Sequence, residues 1–283
     1  MRILITGGNG QLGQALQTAF PSDAVEALGH SDLDITSREQ VSRTLSRLEP
    51  DSVIHAAAWT DTAGCERDPD LAMRVNGEGA AIVAESCRET GSALLYISSN
   101  EVFDGAKPTP YLEDDHPNPL NAYGRSKLEG ERRVQAVLDR FCIVRTSWLY
   151  GPGRESFPEK ILGPARKGGP LKVVTDEAAS PTFTMDLAWA IADLVHKGSS
   201  GLFHLTNAGA CSRRDWAEEV LRLVGISIPI EPVTQDEYGG PYRKPVYSVL
   251  ANINAAHLGI RLRPWQEALA EHVRGAIAQG VPS

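Results

Sequence analysis

A serine, a tyrosine and a lysine are spaced in this sequence so that they can share one active site. Tyr123 and Lys127 are four residues apart in "NAYGRSKLEGE", which is predicted to open a helix, so both side chains lie on one helix face. Ser99 follows the apolar run "ALLYIS", a predicted buried strand. Because polar groups at the carboxyl end of a parallel strand face the ligand crevice of a doubly wound sheet, Ser99 is expected to meet the other two there.

These residue types are suited to the reduction of a carbonyl group. A phenol ordinarily titrates near pH ~10, and a neighbouring ammonium stabilises the phenolate, so Lys127 is expected to lower the pKa of Tyr123. Tyr123 would donate the proton that the incipient alkoxide needs, while Ser99 holds the oxygen. Lys127 is also expected to hold the ribose of a nicotinamide cofactor. A tyrosine and a lysine at this spacing also occur on ordinary helix surfaces. The presence of Ser99 at the same edge of the sheet is what favours a catalytic role.

A glycine-rich loop predicts where the dinucleotide binds. The segment "ILITGGNGQLGQAL" lies between the first predicted strand and the first predicted helix, and its glycines have the spacing of a dinucleotide-binding turn. This arrangement brings backbone amides and a helix N-terminus against a pyrophosphate. The residues predicted to contact the cofactor here are Gly7, Gly10, Gln11, Leu12 and Gly13.

The end of the second predicted strand bears on the choice between NAD and NADP. A carboxylate there would hydrogen-bond the adenosine ribose and favour NAD, but Gly29, His30 and Ser31 occupy the position. The sequence therefore predicts NADPH, with NADH still allowed, and it puts His30 or Ser31 near the extra phosphate. Asp34 and Ile35 are expected beside the adenine, with helix capping and packing as their alternative roles.

Apolar runs alternate with helical patterns in the first half of the chain, which is typical of a parallel sheet covered on both faces. We therefore predict an α/β fold, a Rossmann-type doubly wound parallel sheet with a smaller C-terminal substrate-binding lobe. Residues 1–150 are predicted to form the dinucleotide-binding domain, and residues 151–283 mainly the substrate-binding lobe, with segments returning to the sheet. The predicted helices are 11–20, 38–48, 70–90, 121–138, 185–196, 213–224 and 265–278. The segments "GPGRESFPEK" and "GPARKGGP" are predicted to be irregular loops.

Composition excludes several classes of function. The chain has a formal net charge of −8, which argues against a nucleic-acid partner because phosphate binding needs a concentrated basic surface. The 4 cysteines include no CxxC pair and the 7 histidines lack ligand spacing, so no metal site is predicted. The chain opens on a strand-like segment and has no apolar run of transmembrane length, so we expect a cytoplasmic protein without a membrane partner.

Motifs in both halves of the chain carry a family resemblance. They are "ITGGNGQLG", "LDIT", "VIHAAAWT", "MRVNGEG", "ISSNEVFDG", "AYGRSKLEGE", "IVRTSWLYG", "SPTFTMDLA" and "RPWQEAL". Together they resemble the dTDP-4-dehydrorhamnose reductase family of the extended short-chain dehydrogenase/reductase superfamily. The resemblance implies an oxidoreductase that reduces the 4-keto group of a nucleotide-linked 6-deoxysugar with NADPH or NADH, and it allows a homodimer.

The resemblance also assigns roles to individual residues. Ser99, Tyr123 and Lys127 match the family's catalytic set, and the latter two also contact the cofactor. The loop residues implied to pass the cofactor are Ala56, Ala57 and Ala58. Asn76 matches the asparagine of the family's "VN" motif. Trp148 and Phe157 are expected beside the deoxysugar, with core packing as an equally open role for Trp148.

Several positions depart from the family pattern where the sugar is expected. Ser98–Glu101 reads "SSNE" where the reductases usually have "STDY", so Asn100 and Glu101 are the predicted substrate contacts at this altered edge. A carboxylate at position 101 can bind a hydroxyl or an amine, or point into solvent. Further along, Glu177 stands in the segment that is usually "DQxGxPT", and Lys244 replaces an arginine.

Two other functions remain open from the sequence. The altered substrate edge allows a reductase of a different activated sugar or of a natural-product intermediate. A non-catalytic dinucleotide-binding regulatory subunit is the second alternative, because the regulatory subunit of methionine adenosyltransferase resembles these reductases. The Ser99, Tyr123 and Lys127 set favours chemistry over that role.

Overall fold

A computed structural model describes residues 1–278, so the last five residues of the predicted C-terminal lobe lie outside the described part. The strands are β1 (Arg2–Thr6), β2 (Ala24–Leu28), β3 (Ser52–His55), β4 (Ala93–Ser99), β5 (Cys142–Thr146), β6 (Leu149–Tyr150), β7 (Leu171–Val174), β8 (Ala178–Ala179), β9 (Thr182–Phe183), β10 (Gly201–His204), β11 (Cys211–Ser212) and β12 (Ile230–Val233). The α-helices are α1 (Gln11–Ala19), α2 (Arg38–Leu48), α3 (Thr62–Arg67), α4 (Pro69–Ala72), α5 (Gly79–Thr90), α6 (Ala122–Val137), α7 (Phe157–Ala165), α8 (Thr184–His196), α9 (Arg213–Val224), α10 (Gln235–Tyr238), α11 (Ile253–His257) and α12 (Trp265–Ala278).

Six parallel strands form the central sheet in the order β10-β5-β4-β3-β1-β2. The chain starts at β1 and adds β2 on one side and β3 on the other, with Thr6 opposite both Leu28 and His55. The strand order reverses at this point, and the loops after β1 and β3 diverge there to open a crevice. The predicted α/β fold with a Rossmann-type parallel sheet is confirmed.

Apolar side chains of alternating orientation fill both faces of the sheet. Ile3 and Ile5 of β1 pack on one face against Leu16 of α1 and Ile191 of α8. Leu4 of β1 points to the other face, which is covered by α2, α5 and α6. These side chains are almost completely buried, and each such burial contributes about 1.5–3 kcal/mol to folding. The two helical layers therefore fix the positions of the loops at the carboxyl edge.

The second half of the chain builds a separate apolar cluster and also returns to the sheet. Trp216 of α9 is at the centre of this cluster, with Tyr150, Phe183 and Leu269 around it. Strand β10 pairs in parallel with β5 and extends the central sheet at one edge. The division of the chain near residue 150 into a cofactor domain and a substrate lobe remains a prediction.

Helix α7 contradicts the prediction of irregular loops after residue 150. Glu159 reaches back to the start of the helix, where its Oε2 accepts hydrogen bonds from the backbone N and the Oγ of Ser156. Pro158 lies in the first turn, where its missing N–H costs nothing, and Pro164 lies near the end. The serine and glutamate three residues apart are a helix-start signal that the density of glycine and proline obscured.

The predicted helix 70–90 is interrupted. A π-helical turn, Met73–Glu78, separates α4 from α5. Such turns hold an extra residue and are frequent at functional sites, because they redirect one side chain out of the regular helical pattern. Here the redirected region contains Asn76, which is completely buried.

Candidate active site

A cleft of about 1000 Å³ opens at the carboxyl edge of the sheet. Most residues predicted for the site line this cleft: Gly7, Gly10, Gln11, Leu12, Gly13, His30, Asp34, Ile35, Ala56, Ala57, Ala58, Ser99, Asn100, Glu101, Tyr123, Lys127 and Trp148. Ser31 and Phe157 do not. Ser31 is exposed and donates a hydrogen bond to Asp32. Phe157 stacks on Trp216, with 4.6 Å between ring centroids, because the first turn of α7 directs it into the apolar cluster.

The glycine loop brings β1 and α1 into very close contact. Gly7 has φ +75°, and a Cβ there would lie 2.8 Å from the backbone of Ala57. A Cβ on Gly13 would lie 2.2 Å from the carbonyl oxygen of Gly7, so only glycine allows the helix to start this near the strand. Gly10 caps α1 without a side-chain hydrogen bond, and the first turn contains no acidic residue. The first amides of α1 therefore face the cleft and suit a pyrophosphate.

Hydrogen bonds order the loop after β2 at one end of the cleft. The Asp34 carboxylate accepts from Oγ1 of Thr36 at 2.7 Å and from its backbone N at 2.9 Å, and these bonds lower the pKa of Asp34. The exposed Asp32 folds back so that its carboxylate accepts from the N–H of Gly29 at 2.9 Å. A carboxylate thus lies near the end of β2 although the sequence order put glycine, histidine and serine there. His30 is the residue of this loop that brings an imidazole to the cleft.

The three predicted catalytic residues come together where β4 ends beside α6. Ser99 is the last residue of β4, opposite Thr146 of β5. Asn121 caps α6 by accepting a hydrogen bond from the N–H of Gly124 at 2.8 Å, and this fixes the turn that carries Tyr123. A Cβ on Gly124 would lie 2.1 Å from the carbonyl oxygen of Glu101, so the start of α6 packs directly on the turn that follows Ser99.

Burial controls the charge states of Tyr123 and Lys127. Burial raises the pKa of Tyr123, the negative charge of Glu101 raises it further, and a hydrogen bond with Ser99 partly offsets both. The pKa of Tyr123 is therefore not lowered as predicted, because burial and Glu101 outweigh any stabilisation of the phenolate by Lys127. Burial also lowers the pKa of Lys127 to about 7, against the opposing charge of Glu131. Tyr123 thus keeps its proton at neutral pH, which is the state that a proton donor needs.

A buried ion pair lies beneath Lys127. Glu131 accepts two hydrogen bonds from Arg145 of β5, at 2.9 and 2.7 Å, and a third from Ser98 of β4. The ammonium of Lys127 lies 4.1 Å from the centre of the Tyr96 ring, which also belongs to β4. These contacts fix α6 on the sheet and hold the lysine under the cleft.

Asn76 connects the loop after β3 to α6. Its Oδ1 accepts from the backbone N of Trp59 at 2.8 Å, and its Nδ2 donates to the carbonyl oxygen of Trp59 and to Oγ of Ser126, both at 3.0 Å. A Cβ on Gly130 would lie 2.6 Å from the carbonyl oxygen of Asn76, so α6 packs tightly on the π-helical turn. Asn76 therefore positions the cleft wall rather than reaching into it.

The altered residues after Ser99 have defined partners. Asn100 donates from Nδ2 to Oγ of Ser248 at 2.7 Å, which ties this turn to the C-terminal half. Glu101 accepts from Nδ2 of Asn121 at 2.6 Å, and burial raises the pKa of its carboxyl group. Glu101 lines the cleft, so the open alternative that it points into bulk solvent is not the arrangement found.

Trp148 both packs and lines the cleft. It has φ +45°, its ring is parallel to that of Trp216 with 5.6 Å between centroids, and one edge of the side chain reaches the cleft. The guanidinium carbon of Arg213 lies 3.6 Å from the centre of the Trp148 ring. Arg213 also lines the cleft, a position that sequence reasoning missed because nothing local distinguishes this arginine from its neighbours on α9.

Residues 1–278 offer neither a cluster of metal ligands nor a membrane-spanning helix. Among residues 1–278, no group of three or more histidine, cysteine, aspartate or glutamate side chains comes together to hold a metal ion. Over the same range, no helix has both the length and the apolar character needed to cross a membrane.

Comparisons with known proteins show what this chain is similar to. A family model described as RmlD substrate binding domain matches residues 1–277. The dTDP-4-dehydrorhamnose reductase of Streptomyces griseus is 38% identical, over 95% of this chain and 92% of that protein. A probable dTDP-4,6-dihydroxy-2-methyloxan-3-one 4-ketoreductase of Streptomyces antibioticus is 37% identical, over 96% and 94%.

A solved structure is also similar to this chain. The crystal structure of dTDP-4-dehydrorhamnose reductase from Bacillus anthracis, in complex with NADP, has a TM-score of 0.94 and 33% identity, and the match covers 97% of this chain and 99% of that one. The chain therefore belongs to the dTDP-4-dehydrorhamnose reductase family of the extended short-chain dehydrogenase/reductase superfamily.

Proposed function

We propose that this protein is an NADPH-dependent reductase of the 4-keto group of a nucleotide-linked 6-deoxysugar, most like dTDP-4-dehydro-L-rhamnose, and that NADH is a second usable cofactor. One observation carries the proposal: Ser99, Tyr123 and Lys127 converge in the same cleft as the glycine loop. We assign residues 1–150 to cofactor binding and residues 151–283 mainly to the substrate-binding lobe.

The cleft fits a dinucleotide along its length. The cradle formed by Gly7, Gly10 and Gly13 has no room for side chains and suits the pyrophosphate, with Gln11 and Leu12 in the first turn of α1. His30 would lie near the 2′-phosphate, and Asp34 and Ile35 near the adenine. NADP in the Bacillus anthracis relative supports this choice of cofactor. When bound, the reduced nicotinamide supplies a hydride to the carbonyl carbon.

Protein groups stabilise the oxygen as negative charge develops on it. Tyr123 gives the proton of its hydroxyl to the forming alkoxide, which is a stronger base than a phenolate, so the raised pKa of Tyr123 does not prevent the transfer. Ser99 donates a second hydrogen bond to the same oxygen. Lys127 in its ammonium form then stabilises the phenolate and holds the nicotinamide ribose. Ala56, Ala57 and Ala58 line the same cleft and would border the cofactor.

Turnover of the keto sugar by purified protein tests the proposal. The protein is mixed with dTDP-4-dehydro-L-rhamnose and NADPH, and the loss of the reduced-cofactor absorbance is followed. Tyr123→Phe is expected to lower kcat by about 10²-fold or more, with cofactor binding retained. Tyr238→Phe is the matched control because Tyr238 is 64% exposed, and it is expected to have no effect.

Two other results would redirect the assignment. Turnover of another keto sugar, such as the pyranone substrate class of the Streptomyces antibioticus relative, but not of this one would favour the reductase of a different activated sugar. Cofactor binding without turnover of any keto sugar would contradict the reductase and favour the regulatory subunit. Size-exclusion chromatography of the same preparation tests the homodimer.

A further inference from the structure

Arg213 is held rigidly at the wall of the cleft. Its guanidinium carbon lies 3.6 Å from the centre of the Trp148 ring, and its Nε donates to Oε2 of Glu177 at 3.2 Å. Glu177 is 4% exposed, so this pair is largely removed from water. Stacking and a buried counter-charge together restrict the arginine to one orientation, which is the kind of preorganisation that a binding residue needs.

The terminal nitrogens of Arg213 are not used by the protein. Within the described residues, the Arg213 side chain donates one hydrogen bond, from Nε to Glu177, and neither Nη atom has a protein acceptor. The side chain is 17% exposed, and the surface it exposes lies in the cleft. Lys244 also pairs with Glu177, at 3.4 Å, so the carboxylate that holds Arg213 has two cationic partners. The wall therefore offers hydrogen-bond donors to a ligand.

Glu101 presents an acceptor to the same part of the cleft. Its Oε2 is taken by Asn121, and the carboxylate interacts electrostatically with Arg213, Lys244 and Tyr123. A donor group and an acceptor group thus lie near the predicted proton donor. A sugar hydroxyl is both a donor and an acceptor, so a pair of hydroxyls can satisfy both groups at once.

Resting on the proposed function, we infer that Arg213, fixed by Glu177, is a specificity-determining residue, and that with Glu101 it selects keto sugars bearing a vicinal hydroxyl pair next to the carbonyl. The Nη atoms of Arg213 donate hydrogen bonds to the hydroxyl oxygens, and Glu101 accepts a hydrogen bond from a hydroxyl group. A deoxygenated sugar leaves these groups unpaired in a partly desolvated cleft. Hydrogen bonds to charged groups of this kind correspond to a preference of about 10- to 100-fold in kcat/KM.

The experiment compares two substrates in the wild-type protein and in variants at Arg213 and Arg214. The kcat/KM values for dTDP-4-dehydro-L-rhamnose and for its 2-deoxy analogue are measured for the wild-type protein, Arg213→Met and Arg213→Lys. The matched control is Arg214→Met, since Arg214 lies on the same helix but pairs with Glu218 on the exposed side. We expect the wild-type protein and the Arg214→Met variant to prefer the hydroxylated sugar by about 10- to 100-fold.

Arg213→Met is expected to lose most of this preference, chiefly through a higher KM for the hydroxylated sugar, and Arg213→Lys to keep part of it. A structural role alone would lower activity on both sugars equally and leave the ratio unchanged, and that result would overturn the inference. If Arg213→Met does not fold, an unchanged ratio in Arg213→Lys would overturn it too. A wild-type protein that reduces both sugars equally well refutes the inference but keeps the reductase. A wild-type protein that reduces neither refutes both.

Discussion

The buried pair of Glu131 and Arg145 gives the sharpest test of how helix α6 is held on the sheet. The two side chains are only 2% and 3% exposed, and their two hydrogen bonds are short and parallel. Removing one partner leaves the other charge buried without compensation. We expect Glu131→Gln or Arg145→Met to lower the free energy of unfolding by about 3–5 kcal/mol, which is a large part of the roughly 5–15 kcal/mol of a typical domain.

Removing both charges should lower the free energy of unfolding by less than the sum of the two single substitutions. The double variant Glu131→Gln/Arg145→Met leaves neither member of this pair as an unpaired buried ion, and the amide can still accept a hydrogen bond from Ser98. Urea unfolding of the wild-type protein, the two single variants and the double variant measures these free energies, with the midpoint shift at constant m-value as the readout. Arg133→Met is the control, since its partner Glu129 on the same helix is partly exposed, and its expected cost is below about 1 kcal/mol. Single variants as stable as the control, or strictly additive effects, would refute the reasoning.

The Glu131→Gln substitution also has a consequence for activity. Glu131 raises the pKa of Lys127, which burial holds at about 7, so Glu131→Gln should lower that pKa further. In the proposed mechanism the ammonium form is the active one, and it is lost as pH rises through this pKa. The alkaline limb of kcat/KM should therefore move to lower pH in Glu131→Gln, as measured by the pH profile of NADPH oxidation. An unchanged limb would mean that Lys127 does not set it.

Two further predictions concern the helix α7 cap and the start of α6. Burial acts to raise the pKa of Glu159, but hydrogen bonds from His272 and Ser156 outweigh it and lower this pKa from 4.5 to about 2. The stabilisation by this carboxylate is therefore full above pH 4.5 and is lost as pH falls towards 2. The Tm difference between the wild-type protein and Glu159→Gln should shrink over that range, and a constant difference would contradict the linkage. Gly124→Ala should lower both Tm and kcat, because its Cβ would collide with the carbonyl of Glu101, whereas Gly163→Ala, with no atom within 4 Å, should be neutral or slightly stabilising. Equal effects of the two glycine changes would refute the packing argument.

The fold class and the core of the site could be read from local patterns in the sequence. The alternation of strands and helices, the glycine loop and the spacing of Tyr123 and Lys127 each depend on residues close together in the chain, where periodicity and backbone geometry act directly. A parallel sheet then brings the ends of β1, β3 and β4 to one edge whatever the loop lengths. Ser99 could therefore be expected beside Tyr123 without any knowledge of the distances.

Other features depended on groups that are distant in sequence, and these only the tertiary structure decided. Whether Phe157 reaches the cleft depends on the helix that begins there, and whether Arg213 does depends on Trp148 and Glu177. The pKa of Tyr123 likewise follows from burial and from Glu101, which oppose the effect expected from its helical neighbour. The sequence by itself determined which chemistry is present and at which edge of the sheet. Desolvation and long-range packing, which no local spacing encodes, decided the charge states and the shape of the substrate wall.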